Sequence, residues 1–330
     1  MIILKPVLKA NTFALIIILG QVLGGMLLVP IFKAMSLTLP TLMILTQLIF
    51  LILPSIIYFI VTKESIKETL KLNAIGFEQI LILIVIVLLS WPVAGFLGGV
   101  SNIFFENLVG EAFELLDGLS LPFMILVMAV MPAICEEITM RGIVLSGYSK
   151  KSTLKAALMS GLIFGIIHLN PQQFLYAFAL GILFAYIVRI TNSIYATMFC
   201  HFMFNGTQVL LSKLVLNIPE VKEASEALKT ASKLEMFKAL IPIGVIAIIA
   251  TILIVLLLKL LKRTTDNNTS LNVNGKVNVH QNTNEDSKGN FDKGFNEDYD
   301  TLELTKEPMI NMPFIITVIF YCIYIYIQYL

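Results

Sequence analysis

The sequence predicts an all-α protein, a polytopic bundle of about eight transmembrane helices with a ninth candidate at the C-terminus. Apolar residues make up 57% of the chain and charged residues only 14%. The mean hydropathy of +0.87 is far above that of an average soluble domain. Much of the apolar content lies in runs of roughly 20 residues, the length that crosses a bilayer core of about 30 Å. We therefore expect a multi-pass protein of the cell membrane, with the lipid bilayer as its surroundings.

The candidate spans are separated by short segments richer in polar, charged or turn-forming residues. They cover residues 12–32, 40–62, 79–100, 120–149, 154–169, 173–188, 193–212, 239–261 and, more weakly, 313–330. Lys5 and Lys9 precede the first run, which is about 20 residues long and has no small-residue cleavage site after it. We expect it to be retained as the first helix rather than removed as a signal peptide.

These runs divide the chain into five parts. They are the first three helices with an outer loop (1–119), a core of helices four to seven (120–212), an outer amphipathic segment with helix eight (213–263), a linker (264–312) and the last membrane segment (313–330). The linker is rich in Asn, Asp, Thr and Lys, which predicts disorder. In the outer segment, apolar residues recur at spacings of three and four from Val221 to Leu234, as on a surface helix.

Basic residues predict the orientation of the bundle. They gather in alternate loops, around Lys67, Lys150, Arg189 and Lys262, whereas the loop 101–119 has acidic residues and no Lys or Arg. The positive-inside rule then places the N-terminus and the 264–312 linker in the cytoplasm. The net charge of +1 offers no basic surface for nucleic acid, so we expect no nucleic-acid partner.

Several ionisable or polar side chains fall inside the apolar runs, where such groups are costly and usually functional. They are Glu136, Glu137, Arg141, His168, His201 and Asn205. At 1.5 Å per helical residue from the inner basic residues, Glu136 lies at a depth of about 21 Å, His168 at about 26 Å and His201 at about 18 Å. These depths agree only if the fourth helix continues past Arg141, and we predict that it does.

Helical spacing assigns these side chains to faces. Glu137 and Arg141 stand four apart and can pair, while Glu136 lies about 100° around the helix and is free to face a cavity as a general base. His201 and Asn205 share a face, as do Phe164 and His168. On the His168 helix, Gly161 and Gly165 should allow a neighbouring helix to approach closely.

Three motifs in this order, each on its own helix, resemble the CAAX-protease and bacteriocin-processing (CPBP, or Abi) family of intramembrane glutamic endopeptidases. They are Glu-Glu-x-x-x-Arg (Glu136, Glu137, Arg141), Phe-x-x-x-His (Phe164, His168) and His-x-x-x-Asn (His201, Asn205). The resemblance covers about 120–210 and departs from the family pattern at no motif position.

The resemblance implies an endopeptidase that needs no metal cofactor. Glu136 and His168 would activate a water molecule, and neutral His201 and Asn205 would donate hydrogen bonds to the oxyanion. Glu137 and Arg141 would brace the site, and Phe164 would serve as packing. The implied partner is a peptide or protein substrate, which includes membrane-associated and lipidated ones.

Two other interpretations of the same residues stay open. In a zinc-dependent membrane metallopeptidase, His168, His201 and one glutamate would bind the metal, with a water completing the site, although the chain has no H-E-x-x-H motif. In a non-enzymatic bacteriocin-immunity or scaffold protein, the polar cluster would only hold helices together. Chelator sensitivity tests the first alternative, and an inactive but folded Glu136→Gln protein tests the second.

Overall fold

A computed structural model describes residues 5–215, 218–280 and 306–329, and every regular element in those ranges is a helix. The first six helices are α1 (Pro6–Ala34), α2 (Leu39–Thr62), α3 (Ile66–Thr69), α4 (Phe77–Asn102), α5 (Leu108–Leu115) and α6 (Leu121–Gly147). The others are α7 (Thr153–Ile167), α8 (Pro171–Thr191), α9 (Ile194–Val215), α10 (Pro219–Thr230), α11 (Lys233–His280) and α12 (Met312–Tyr329). The all-α prediction is confirmed.

In the part of the chain that the structure describes, seven helices are long and apolar enough to cross a membrane. They are α1, α2, α4, α6, α8, the Lys233–Asn267 part of α11, and α12. The other two predicted spans are also helical, but α7 has only 15 residues and α9 does not meet the same criterion despite its 22 residues. The chain is thus a polytopic helical membrane protein, and its C-terminal segment is long enough to span. The orientation stays a prediction.

The structure describes both ends of the predicted linker. Helix α11 runs from Lys233 past Arg263 to His280, so its last part belongs to the segment predicted as a linker. At the other end of the predicted linker, Glu307 is buried against the start of α1. Residues 281–305 of the predicted linker lie outside the described residues. The outer amphipathic helix ends at Thr230, earlier than the apolar spacing suggested.

The predicted continuation of the fourth helix is confirmed. Helix α6 passes through both glutamates and Arg141 without interruption. Two stretches of it, Leu126–Val130 and Ile138–Val144, are wound as π-helix, a form that is frequent at functional sites. Arg141 lies in the second stretch. The glutamates consequently sit in the middle of a membrane-length helix rather than at its end.

Helices α7 and α8 pack backbone to backbone at glycines. A Cβ added at Gly181 of α8 would lie 2.7 Å from the Cα of Gly161, and one added at Gly161 would lie 2.9 Å from the backbone nitrogen of Ile182. A Cβ at Gly165 would be 3.1 Å from the Phe174 ring. The close approach expected from Gly161 and Gly165 is confirmed. It places the end of α7, and with it His168, against α8.

The C-terminal segment ties the two ends of the described chain together. The Glu307 carboxylate accepts hydrogen bonds from the backbone N–H groups of Val7, at 3.1 Å, and Leu8, at 2.8 Å. Both N–H groups belong to the first turn of α1 and have no acceptor within their own helix. The Asn11 amide also donates to the Met309 carbonyl at 3.0 Å. Helix α12 is therefore anchored to α1.

Buried apolar side chains form two main clusters that meet at α8. One cluster joins α8 to α1, α6 and α7, and the other joins it to α4, α9 and α11. Ala177 and Ala185 of α8 belong to the first cluster, while Leu180 and Phe184 belong to the second. The polar motif residues lie between the two clusters, on α6, α7 and α9 around α8.

Candidate active site

The two glutamates of α6 have different surroundings. The Glu137 side chain is fully buried, and its Oε1 lies 3.0 Å from Nη1 of Arg141, one turn further along the helix. The Glu136 side chain keeps 18% exposure, and its Oε2 is buried without a hydrogen bond to any described residue. Glu137 is therefore paired with Arg141 and Glu136 faces a cavity, as the helical spacing predicted.

The Arg141 guanidinium is held largely by aromatic rings. Its Cζ lies 4.0 Å from the ring centroid of Phe164 and 5.2 Å from that of Phe184. A cation over an aromatic face is attracted by the ring quadrupole, and the attraction is strongest where water is excluded. Arg141 is only 1% exposed. Phe164 therefore does more than fill space. Its ring contacts the guanidinium of Arg141, which pairs with Glu137 on the same helix.

His201 on α9 bridges the two glutamates of α6. Its Nδ1 is 2.9 Å from Oε1 of Glu137, and its Nε2 is 3.9 Å from Oε2 of Glu136. A carboxylate paired with an arginine can only accept, so the Nδ1 atom carries the proton. A neutral His201 would then have no N–H left on Nε2. The role of His201 as an oxyanion donor stays a prediction; with Nδ1 donating to Glu137, donation from Nε2 as well would require a ring that carries both protons.

The acidic and basic side chains of the site lie close together. Glu136 and Glu137 bring two carboxylates into a largely apolar interior, and Arg141 pairs with one of them. An unpaired charge in such an environment is expensive. His201 lies between the two glutamates, with a carboxylate facing each ring nitrogen.

His168 lies where α7 ends, and its ring has a fixed orientation. The Nδ1 atom is 2.7 Å from the Phe164 carbonyl oxygen, one turn back. Because a carbonyl only accepts, Nδ1 donates, and a neutral His168 therefore exposes the lone pair of Nε2. Phe164 also contacts the imidazole edge to face, with ring centroids 4.8 Å apart. The ring is held by the residue that shares its face, as the spacing predicted.

Asn205 lies one turn after His201 on α9. Its Nδ2 donates to the backbone carbonyl of Met128 on α6 at 3.1 Å, which fixes which side of the amide carries the nitrogen. A primary amide has two N–H groups, so one donor remains. The Met128 carbonyl is a partner that the sequence could not reveal, because a backbone group carries no residue signature.

These groups meet at one cavity of about 230 Å³. Glu136, His168, His201 and Asn205 all line it, together with Phe164. The four predicted catalytic residues are therefore brought together, while Glu137 and Arg141 stand behind them. The prediction missed several other lining residues, which are polar or aromatic without a telling spacing: Gln173, Tyr176, Phe184, Phe204 and Gln208.

A second cavity, of about 390 Å³, adjoins the first and is called the vestibule below. Tyr176, Phe204 and Gln208 line both cavities. The outer part of the vestibule is bounded by the end of α4 and by α5, where the Gln172 amide donates to Asn102 at 2.9 Å. The vestibule gives the site a partly polar approach from the end of the bundle that carries the 101–119 loop.

The side chains of the site also bear on whether it could bind a metal ion. Within residues 5–215, 218–280 and 306–329, no group of three or more His, Cys, Asp or Glu side chains is arranged to hold a metal ion. Both ring nitrogens of His201 face carboxylates, and Nδ1 of His168 faces a carbonyl. Whether the chemistry depends on zinc stays a question for experiment.

The fold and the site together define a class: a polytopic membrane protein with a buried carboxylate–histidine centre. Residues 118–207 match the family model "Type II CAAX prenyl endopeptidase Rce1-like". This segment contains all seven motif residues and is similar to that family, so the predicted resemblance over about 120–210 is confirmed.

Comparison with curated proteins gives a relative with a related description. The chain is 34% identical over 93 residues to "Putative membrane peptidase YdiL" of Bacillus subtilis (strain 168). The match covers 28% of this chain and 38% of that protein, so the similarity spans little more than a third of the relative. No solved structure matches the chain.

Proposed function

We propose that the protein is a membrane endopeptidase in which Glu136 and His168 activate a water molecule for attack on a peptide carbonyl. The observation that carries the proposal is the convergence of Glu136, His168, His201 and Asn205 on one cavity inside an apolar helix bundle. Such a cavity combines a base, a second proton acceptor and hydrogen-bond donors, which are the groups that peptide hydrolysis needs.

Water activation falls to the two groups with free acceptor atoms. Oε2 of Glu136 is buried and has no hydrogen-bond partner among the described residues, so a water molecule would meet an unpaired carboxylate oxygen there. The Nε2 lone pair of His168 supplies a second acceptor on the cavity wall. As the water oxygen bonds to the carbonyl carbon, Glu136 takes one of its protons.

The oxyanion that forms is met by His201 and Asn205. Nε2 of His201, when it carries a proton, and the second amide N–H of Asn205 would donate to it. Donors held in place before the reaction cost no reorganisation as charge develops. The tetrahedral intermediate then collapses, the carbon–nitrogen bond breaks, and the proton held by Glu136 passes to the leaving amine.

Glu137 and Arg141 act through His201 rather than on the substrate. Glu137 accepts from the Nδ1–H of His201 and so fixes the orientation of the ring, and Arg141 pairs with Glu137. Phe164 supports both sides, since it lies under Arg141 and beside His168. Removing any of the three would leave Glu136, His168, His201 and Asn205 at the cavity but would weaken the contacts that orient them.

The substrate is a peptide segment of a membrane-associated protein, entering through the vestibule. The family description names prenyl endopeptidases, and lipidated proteins are one source of such segments. The partly polar lining of the vestibule suits an extended peptide backbone, whose N–H and C=O groups need partners wherever water is scarce. The protein would therefore cut its substrate close to the membrane surface.

The test is a comparison of membrane peptides from cells that make the wild-type protein, Glu136→Gln or Glu78→Gln at equal abundance. Glu78 is an exposed glutamate in the first turn of α4, so its replacement makes the same chemical change away from the site. We expect new peptide termini in cells with wild type and Glu78→Gln and none with Glu136→Gln. The same termini in all three strains would contradict the proposal.

A further inference from the structure

A second groove of the protein is separate from the active-site cavity and its vestibule. It has a volume of about 790 Å³, lies between α4, α8 and α11, and contains none of the seven motif residues. Most of its walls are aliphatic side chains, such as Val93, Leu183 and Ile254. An apolar groove on the flank of a membrane bundle would be filled by a hydrocarbon chain.

One end of this groove is charged. Arg189 of α8 and Lys259 and Lys262 of α11 line it, together with one carboxylate, Asp266. The two lysines are exposed. Arg189 is held in position because it donates to the Ser149 carbonyl at 3.0 Å and the Lys151 carbonyl at 2.6 Å. The charged end therefore carries an excess of positive charge over the single acid.

The distance between the charged end and the apolar end fits a lipid. Lys262 lines the first and Thr251 the second, and both lie on α11. Eleven residues of helix at 1.5 Å each separate them by about 16 Å. This is about half of the roughly 30 Å hydrocarbon core, which is the depth of one leaflet.

We propose that this groove binds one anionic phospholipid of the membrane. An acyl chain occupies the aliphatic part, and the phosphate lies among Lys259, Lys262 and Arg189, where charge-assisted hydrogen bonds are strongest. Tyr176 and Leu180 line both the groove and the active-site cavity, so the lipid would rest against the far side of the wall that faces Glu136. The proposal does not depend on peptidase activity.

The experiment is native mass spectrometry of the purified full chain in detergent, titrated with phosphatidylglycerol or phosphatidylcholine of identical acyl chains. We expect one phosphatidylglycerol to bind, more tightly than phosphatidylcholine. The double variant Lys259→Gln/Lys262→Gln should weaken phosphatidylglycerol binding by about 30-fold, since each lysine near a membrane surface contributes about a five- to sixfold step.

The matched control is Lys150→Gln/Lys155→Gln. It removes the same charge from exposed lysines at the same end of the bundle that do not line the groove, and it should change the affinity less than about twofold, as surface charges at a distance are screened. A second variant, Ala179→Phe, places a ring in the apolar part of the groove and should weaken both lipids. It tests the site even if the lysine variant fails to fold.

Four outcomes would overturn the proposal. Equal affinity for the two lipids would show that the lysines do not select an anionic headgroup. An equal loss in the Lys150/Lys155 control would show a general charge effect. Unchanged binding in Ala179→Phe, or displacement of the lipid by inorganic phosphate alone, would show that the acyl chain is not held in the groove.

Discussion

His201 and Glu137 form a hydrogen bond of 2.9 Å between Nδ1 and Oε1, and this contact sets the orientation of the ring. It joins α9 to α6 across the site and leaves Nε2 of His201 facing the cavity and Glu136. Because a carboxylate that is paired with an arginine only accepts, Nδ1 of His201 is the donor in this contact.

Glu137→Gln should therefore lower kcat by about 100-fold, the scale on which loss of one oxyanion donor is felt. The glutamine keeps the shape of the side chain but loses the carboxylate that pairs with Arg141 and accepts from Nδ1 of His201. The KM should change little, because the substrate does not touch residue 137. Steady-state kinetics on a substrate peptide identified from membranes would check this. A proportional rise in KM with unchanged kcat would contradict it.

Asn205→Ala removes the other proposed donor. We expect kcat to fall by roughly 100- to 1000-fold with a smaller effect on KM, because the hydrogen bond strengthens only as charge develops on the substrate oxygen. Single-turnover rates would separate chemistry from product release. A loss of less than about tenfold in the single-turnover rate would assign Asn205 to its contact with the Met128 carbonyl alone.

Much of this site could be predicted from the sequence because several of its contacts join residues one helical turn apart. The pairing of Glu137 with Arg141 and the contact of His168 with Phe164 both follow from one helical turn, and the continuation of α6 followed from matching depths. The sequence could not show which glutamate faces which ring nitrogen of His201, because these contacts join α9 to α6. Phe184 was missed for the same reason: its contact with Arg141 arises from the packing of α8 against α6.

The fold shows the same division between local and distant signals. Gly161 predicted a close helix contact, but its partner Gly181 could be found only from the packed bundle. Glu307 was placed in a disordered linker because its neighbours in sequence are polar, whereas its stabilising partners are backbone groups at the start of α1. Contacts between residues far apart in the chain decide such cases.

Gly161→Ala should destabilise the bundle. The new methyl group would come within 3.0 Å of the Phe178 carbonyl oxygen and nearer still to the backbone of Ile182, so α7 and α8 must separate. Overpacking of this kind costs about 1–3 kcal/mol. The measurement is the midpoint of thermal unfolding in detergent. Gly25→Ala is the control, since a Cβ there meets nothing within 4 Å and should leave the midpoint unchanged or raise it. Equal midpoints for the two variants would contradict the close contact.

Hydrolysis should need no metal ion. Of the residues that would bind zinc, His201 has a carboxylate facing each ring nitrogen, and the described residues hold no group of three or more His, Cys, Asp or Glu side chains arranged for a metal ion. Purified protein is to be dialysed exhaustively against a chelator, assayed, and analysed for bound zinc. We expect full activity with less than stoichiometric zinc. Activity that disappears with the metal and returns with one equivalent of zinc would replace the glutamate mechanism by that of a metallopeptidase.

The most direct measurement is the cleavage rate of purified Glu136→Gln on the peptide that the wild-type protein cuts. Glutamine keeps the size of the side chain at the cavity wall but cannot take a proton from water. We expect the rate to fall by at least about 100-fold, the lower range of general-base contributions, with unchanged unfolding temperature, while Glu78→Gln keeps the wild-type rate. Cleavage by Glu136→Gln at a rate close to wild type would contradict the assignment of Glu136 as the general base.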